Sequence, residues 1–331
     1  RSYLQFLFSA IGLPFLPTFN DYTLKLKTRF NVHNELTIIS IGALDKNVLN
    51  MGIKNPTEEQ QYILDYLPTN NQWNYAIGAN YRHYRENSYS TLIVSRNMLY
   101  NEAVKYLNND ESSADNLTID YSSYETENKL RYEEVLRQNG YKFTYGAGVE
   151  YAKYQNTTFQ KVFIPAGEDT VTQINYSSNL DFFKWSLFGQ VSKSYLDDKL
   201  TLSLGLRSDA NSYSSQMSNL LKQISPRFSA SYSLTTKLAV NFNTGRYYQL
   251  PAYTTMGCSL PDGELLNKTL GLRYIQADHV VAGFDYRRND KSKLTLEGFY
   301  KFYNYYPFLL CDSVSLASKG EDFGVAGGGG V

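Results

Sequence analysis

Apolar and polar residues alternate singly along most of this chain, most cleanly between residues 181 and 206. Phe183, Trp185, Leu187 and Val191 share one side of a first stretch, and Leu200, Leu202, Leu204 and Leu206 share one side of a second, with Asp197-Asp198 between them. Successive strand side chains point to opposite faces, so each stretch sets an apolar face against one of Ser, Lys, Gln and Thr. A hairpin of this kind suits a sheet with lipid outside and a polar lumen inside.

The same alternation predicts thirteen strands, at about 1–9, 18–32, 35–45, 70–85, 88–100, 117–137, 141–156, 179–195, 199–211, 222–234, 237–248, 274–287 and 291–306. Within the sixth, residues 124–137 also fit a short helix, because Leu130, Tyr132, Val135 and Leu136 line one helical side ahead of Gly140. Strand is the expectation there. The links alternate in length: 32–34, 86–87, 138–140, 197–198, 235–236 and 289–290 are tight, while 10–17, 46–69, 101–116, 157–178, 212–221 and 249–273 are longer. A soluble sandwich has no physical reason to put its long loops on every second connection. An outer-membrane barrel has one, since its periplasmic turns are short and its extracellular loops long.

Facing follows from the alternation. Tyr22, Leu24, Leu26 and Phe30 are expected toward lipid with Lys25, Lys27 and Arg29 toward the lumen, and Trp73, Tyr75, Ile77, Ala79 and Tyr81 oppose Asn74, Asn80 and Arg82. Phe228, Ala230, Tyr232 and Leu234 oppose Arg227, and Leu294, Leu296, Tyr300 and Phe302 oppose Glu297 and Lys301. A Lys or Arg turned toward lipid costs about 2–4 kcal/mol at the bilayer midplane, so the assignment is energetically forced in a barrel. Arg96 breaks the pattern, falling on the face of Leu92, Val94 and Met98, and is expected near an interface where that penalty is small.

Composition agrees with the pattern. Thirty Tyr and 18 Phe among 331 residues are strand formers. Mean hydropathy is −0.42, as in a soluble protein, but strand alternation dilutes any window average. No stretch approaches the ~20 apolar residues of a membrane helix. Lys plus Arg and Asp plus Glu number 32 each, which gives no field to gather nucleic acid. Cys258 and Cys311 are expected as free thiols. His33, His83 and His279 are isolated, and Asp262-Gly263-Glu264 supplies too few oxygens for Ca²⁺, so no catalytic residue, metal site or cofactor is expected. The opening Arg1-Ser2-Tyr3, without a signal segment, is expected of a processed protein or an internal fragment, and the run 327–330 of a flexible end.

Several segments go beyond barrel statistics. Arg1 to Leu4, Leu13-Pro14 and Pro17 to Tyr22, then Ser225-Pro226-Arg227-Phe228-Ser229-Ala230-Ser231-Tyr232, Gly245 to Tyr253, Tyr300 to Tyr303 and Lys319 to Val325 together resemble the barrel of Bacteroidetes-type TonB-dependent outer-membrane receptors. The resemblance implies an all-β, antiparallel transmembrane barrel of which this chain carries about 13 strands of 22, over residues 1–318, followed by a loop or Gly-rich end at 319–331. It also implies a Gram-negative outer-membrane location and an internal section lacking the plug and the C-terminal strands. The whole receptor would bind a scarce nutrient, such as an iron chelate, cobalamin, glycan or peptide, and import it with TonB-coupled energy. Its partners would be membrane lipid, its own plug, TonB and a surface lipoprotein.

Ligand contacts are expected at the outer loops. Tyr247, Tyr248, Gln249, Tyr253 and Arg273 flank one large loop, and Tyr303, Tyr305 and Tyr306 approach another. These rings suit stacking on a sugar or chelate, and equally an interfacial aromatic girdle. By analogy with the family, Lys25, Lys27, Arg29, Arg227 and Glu297 would face the plug. A passive porin-like channel and a soluble glycan-binding β protein are the alternatives.

Overall fold

The computed structural model describes residues 4–166, 168–260, 263–309 and 314–315. Twelve strands form one antiparallel sheet in which each strand pairs with its sequence neighbours. They are β1 (Phe15–Arg29), β2 (Asn34–Leu49), β3 (Thr69–Tyr84), β4 (Ser88–Tyr106), β5 (Leu117–Gln138), β6 (Tyr141–Ala166), β7 (Glu168–Tyr195), β8 (Leu200–Asn211), β9 (Ile224–Ser233), β10 (Leu238–Gln249), β11 (Ile275–Asn289) and β12 (Ser292–Asn304). Among the described strands β1 and β12 have one neighbour each, so the sheet is an open wall.

The first of the thirteen expected strands is instead a helix, α1 (Leu4–Ala10), with residues 1–3 outside the described part. Its sequence LQFLFSA is a short apolar run, the kind whose period does not separate helix from strand. Residues 124–137 are strand, paired on both sides within β5. The link expected at 157–178 is also largely strand: β6 and β7 stay paired out to Ala166 and Glu168. At 26 and 28 residues they far exceed the ~9–11 residues that cross a bilayer, so this hairpin projects well beyond the lipid. The Gly-rich end and Cys311 lie outside the described residues.

Loop parity holds. Tight turns join β1 to β2, β3 to β4, β5 to β6, β7 to β8, β9 to β10 and β11 to β12 at one rim. Asn139 and Gly140 both have positive φ, 53° and 76°, as a two-residue hairpin turn matching the strand twist requires. The opposite rim carries the longer links, including α2 (Glu58–Tyr66), α3 (Tyr253–Met256) and α4 (Leu266–Thr269). A Thr57/Gln60 capping box starts α2, and the buried ammonium of Lys105 on β4 holds its end by donating to the Leu64 carbonyl at 2.7 Å.

The register puts Leu26, Ile38 and Ala79 side by side, then Val94, Leu130, Val149 and Trp185. Phe183 is 53% exposed and Leu204 59%, and Leu26, Val94, Leu130, Val149 and Leu187 on the same face are exposed too. An apolar face this continuous needs a lipid cover. No helix of the described residues is long and apolar enough to cross a membrane. The densest core lies on the opposite, polar face toward the loop rim. There Ala152, Tyr154, Leu180 and Phe182 of β6 and β7 receive Tyr213, Met217, Met256, Leu272 and Tyr274 from two loops.

Candidate functional site at the loop rim

The described part of the loop between β10 and β11 lies against the wall. It folds back over the polar face of strands about 80 residues earlier in the chain. The Gly257 carbonyl accepts from the Tyr176 hydroxyl at 2.8 Å and from Ser178 Oγ at 2.5 Å, and the Met256 carbonyl accepts from the Tyr213 hydroxyl at 2.9 Å. Met256 is fully buried, and Asn267 nearly so, donating to the Thr255 carbonyl at 2.7 Å. Burial pushes the phenol of Tyr213 well up and that of Tyr274 up to about 12, so both stay protonated.

Tyr253 is a second, half-buried anchor of this loop. Its ring meets Phe182 edge-on at 5.6 Å, and its hydroxyl lies against Glu127 and 2.6 Å from Lys184 Nζ. Burial, then the bond to Glu127, raises its pKa, which keeps the hydroxyl a donor. Beneath it Lys184 bridges Glu127, at 2.9 Å, and Glu150, while Lys129 meets Glu127 at 2.5 Å and Glu150 at 3.6 Å. Of these four residues, alternation had placed only Lys184 on a polar face. Their meeting required the register of β5, β6 and β7, which single strands do not reveal.

Next to this cluster lies a cavity of about 340 Å³. Its charged lining is five basic side chains, Lys129, Arg131, Lys184, Arg207 and Arg227, against Glu150 and Asp209. Arg227 also opens a row of rings across β9 to β12. Its guanidinium lies 4.6 Å from the Tyr247 ring centre, Tyr247 is 4.7 Å from His279, His279 6.4 Å from Tyr303, and Tyr303 6.2 Å from Tyr306. Gly245 makes room for this arrangement, since a Cβ there would sit 3.1 Å from Arg227 Cγ and 3.3 Å from the Tyr247 hydroxyl. Arg227 Nε and His279 Nε2 are buried without hydrogen-bond partners. A buried polar atom left unpaired calls for a ligand atom or water.

The sequence-derived candidates therefore divide. Tyr247 and Tyr303 join the row, and Arg273 stacks over Tyr305 at 5.5 Å on the same rim. Tyr248 packs edge-on to Tyr274 at 6.4 Å and lines the cavity, Gln249 is exposed, and Tyr253 is an anchor. Lys25, Lys27 and Arg29 share the polar face of β1, where Lys27 pairs with Glu35 at 3.1 Å and Arg29 lies over Tyr84 at 5.8 Å. Glu297 sits on the polar face of β12, across from Gly283. His33 and His83 come within 6.4 Å at the turn rim, and the described residues hold no group of three or more metal-ligating side chains.

An antiparallel meander with short turns at one rim, folded loops at the other and a lipid-covered outer face is the wall of an outer-membrane-type β-barrel. The chain belongs to the TonB dependent receptor-like, beta-barrel family, which it matches over residues 12–315. No curated protein is significantly similar in sequence. Among solved structures it is similar to the ferric enterobactin receptor PfeA of Pseudomonas aeruginosa, with 16% identity, a TM-score of 0.61, and 87% of this chain covering 43% of that one. The siderophore receptor PirA from Acinetobacter baumannii aligns with 14% identity and a TM-score of 0.61 over 89% of this chain and 45% of its own. The copper transporter OprC aligns with 12% identity and a TM-score of 0.61 over 88% and 46%. At such identities the likeness is one of fold. The chain spans less than half the length of these structures.

Proposed function

We propose that this chain is part of the wall of an outer-membrane receptor in a Gram-negative bacterium that takes up an anionic iron chelate. The observation that carries the reading is the position of Arg227, which both lines the basic cavity and holds the Tyr247 ring at the head of the aromatic row. A planar anionic chelate suits such a place, because guanidinium groups bind carboxylate and phenolate oxygens directionally while rings stack on its faces. The siderophore receptors of the same fold support the choice of iron over cobalamin, glycan or peptide. In the whole receptor, import would draw on TonB through the plug, with Lys25, Lys27, Arg29 and Glu297 facing it.

The test is growth of a deletion strain with ferric chelate, cobalamin or a glycan as the limiting nutrient, complemented by the wild-type gene or by Arg227→Gln and Tyr247→Ala. Rescue confined to ferric chelate, and weakened at least tenfold in apparent affinity by either substitution, is expected from losing a charged contact or a stacked ring. Rescue on cobalamin or glycan alone sinks the iron assignment. Normal growth with both variants removes the row from the binding site.

A further inference from the structure

Arg96 is the charged side chain that the apolar face does not explain. By register it lies between Ile77 and Asn128, one step outward from the aliphatic belt of Val94, Leu130 and Val149 and one step inward from Tyr75 and Met98. Its partner Asn128 is ten residues from Gln138 at the turn rim, about 33 Å along a tilted strand at ~3.3 Å per residue. Ten residues of a tilted strand match the ~9–11 that cross a bilayer, about 25 Å of depth and the height of a barrel's apolar band, so Arg96 stands at the headgroup level of the leaflet on the loop side. Tyr100, Tyr124, Tyr151 and Phe183 surround this level as the aromatic girdle of that leaflet.

The guanidinium is held but not neutralised. Arg96 Nε donates to the Tyr75 hydroxyl at 2.9 Å and Nη1 to Asn128 Oδ1 at 2.9 Å, both neutral acceptors. Among the described residues no carboxylate lies within ion-pair distance of it. By contrast, Arg246 on the same face forms an ion pair with Asp278 at 2.8 Å. Two fixed N–H bonds leave Nη2 and the second Nη1 proton exposed in a set orientation. Alongside runs an apolar groove of about 620 Å³, lined by Ile38, Ile77, Val94, Leu130, Val149 and Phe183 as well as Arg96.

We infer that this groove is a lipid site, with Arg96 binding the headgroup phosphate of an outer-leaflet glycolipid whose acyl chain lies along the apolar lining. Charge complementarity selects the occupant: an oriented, unneutralised guanidinium suits a phosphate, and the groove below it suits an acyl chain rather than a free anion. The inference rests on the outer-membrane location proposed above, not on the nutrient.

The experiment is native mass spectrometry of the full-length receptor extracted in detergent, given bisphosphorylated lipid A or the same lipid with both phosphates removed, for wild type, Arg96→Gln and Arg96→Lys. The wild type should retain lipid A, with at least about tenfold weaker binding of the dephosphorylated lipid and a similar loss in Arg96→Gln, as expected for a charge-assisted bond. Arg96→Lys should fall between, and millimolar inorganic phosphate should not displace the lipid. Equal retention of the two lipids by the wild type, undiminished lipid A on a folded Arg96→Gln, or displacement by inorganic phosphate would overturn the site. Should Arg96→Gln lose the heat-modifiable mobility of a folded barrel, the two-lipid comparison on the wild type decides alone. Fractionation separates the premises: absence from outer membranes sinks the location, whereas presence there with failed lipid arms sinks only the Arg96 site.

Discussion

The Tyr253 hydroxyl donates to the carboxylate of Glu127, a residue 126 positions earlier in the chain. This bond ties the loop between β10 and β11 to the polar wall at β5, and Lys184 closes it into a network. Replacing Tyr253 by Phe keeps the ring against Phe182 but removes the hydroxyl, leaving Glu127 and Lys184 one partner short. The expected loss is about 1–3 kcal/mol of loop anchoring, with the sheet intact. Limited proteolysis checks it: cleavage between residues 258 and 271 should accelerate roughly tenfold while the barrel stays protease-resistant. Unchanged cleavage would mean that the ring alone holds the loop.

Gly257 carries the second anchor. A Cβ at this position would lie 2.5 Å from Ser178 Oγ, 3.0 Å from the Tyr253 carbonyl and 3.1 Å from the Tyr154 ring. Its φ of −82° is open to any residue, so closeness to the wall, not backbone conformation, demands glycine. Gly257→Ala should destabilise the docked loop by about 1–3 kcal/mol, the usual cost of overpacking. Thermal unfolding of the purified receptor reads the effect, and adding Ser178→Ala should recover part of it because the nearest clash is removed. An additive pair of losses would contradict this geometry.

These anchors show where sequence stops informing. The hairpin of β7 and β8 was legible because strand alternation is a local property and a face of Leu200 to Leu206 needs no partner to be recognised. The tight turns were legible for the same reason, through Asn139-Gly140 and Asp197-Asp198. The meeting of Glu127, Glu150 and Lys184 depends on inter-strand register over 57 residues, which no single strand encodes. The charges at 125, 127, 129, 131 and 133 on one face of β5 were the available signal that this face meets something polar. The folded loop was hidden for a related reason: Met256 and Leu272 sit in irregular sequence, where apolar residues carry no period. At the amino end, α1 was missed because seven residues are too few for period to separate helix from strand.

Cys258 follows Gly257 in this docked loop and is half-buried. Burial raises the pKa of its thiol above the ordinary cysteine value, only partly offset by Tyr176. The reactive thiolate is therefore scarcer at neutral pH than for an exposed cysteine, and access is restricted as well. Alkylation by iodoacetamide at pH 7.5, followed by peptide mapping, should be several-fold slower at Cys258 than for a free cysteine peptide. Rates should rise with pH through and beyond the ordinary thiol range, and should rise further in Tyr253→Phe if the loop loosens. Labelling at the peptide rate would place Cys258 on a freely exposed loop.

Facing is tested most directly on β8, at two adjacent residues. Leu204 pairs in register with Val191 and Phe228 on the apolar face, while Ser203 on the other face accepts the company of Ser192, donating to its Oγ at 2.7 Å. Leu204 is five residues from Lys199 in the tight turn, about 17 Å along the strand, which puts it near the middle of the hydrocarbon. An arginine there meets acyl chains at the depth where its cost is greatest, about 2–4 kcal/mol. At Ser203 the same side chain reaches the polar interior, with an expected change within about 1 kcal/mol. Urea unfolding in lipid vesicles of Leu204→Arg and Ser203→Arg measures both. Because strand side chains alternate strictly, a one-residue slip of β8 would exchange the two results rather than blur them, and that exchange would reverse the faces assigned to β7 and β9 with it.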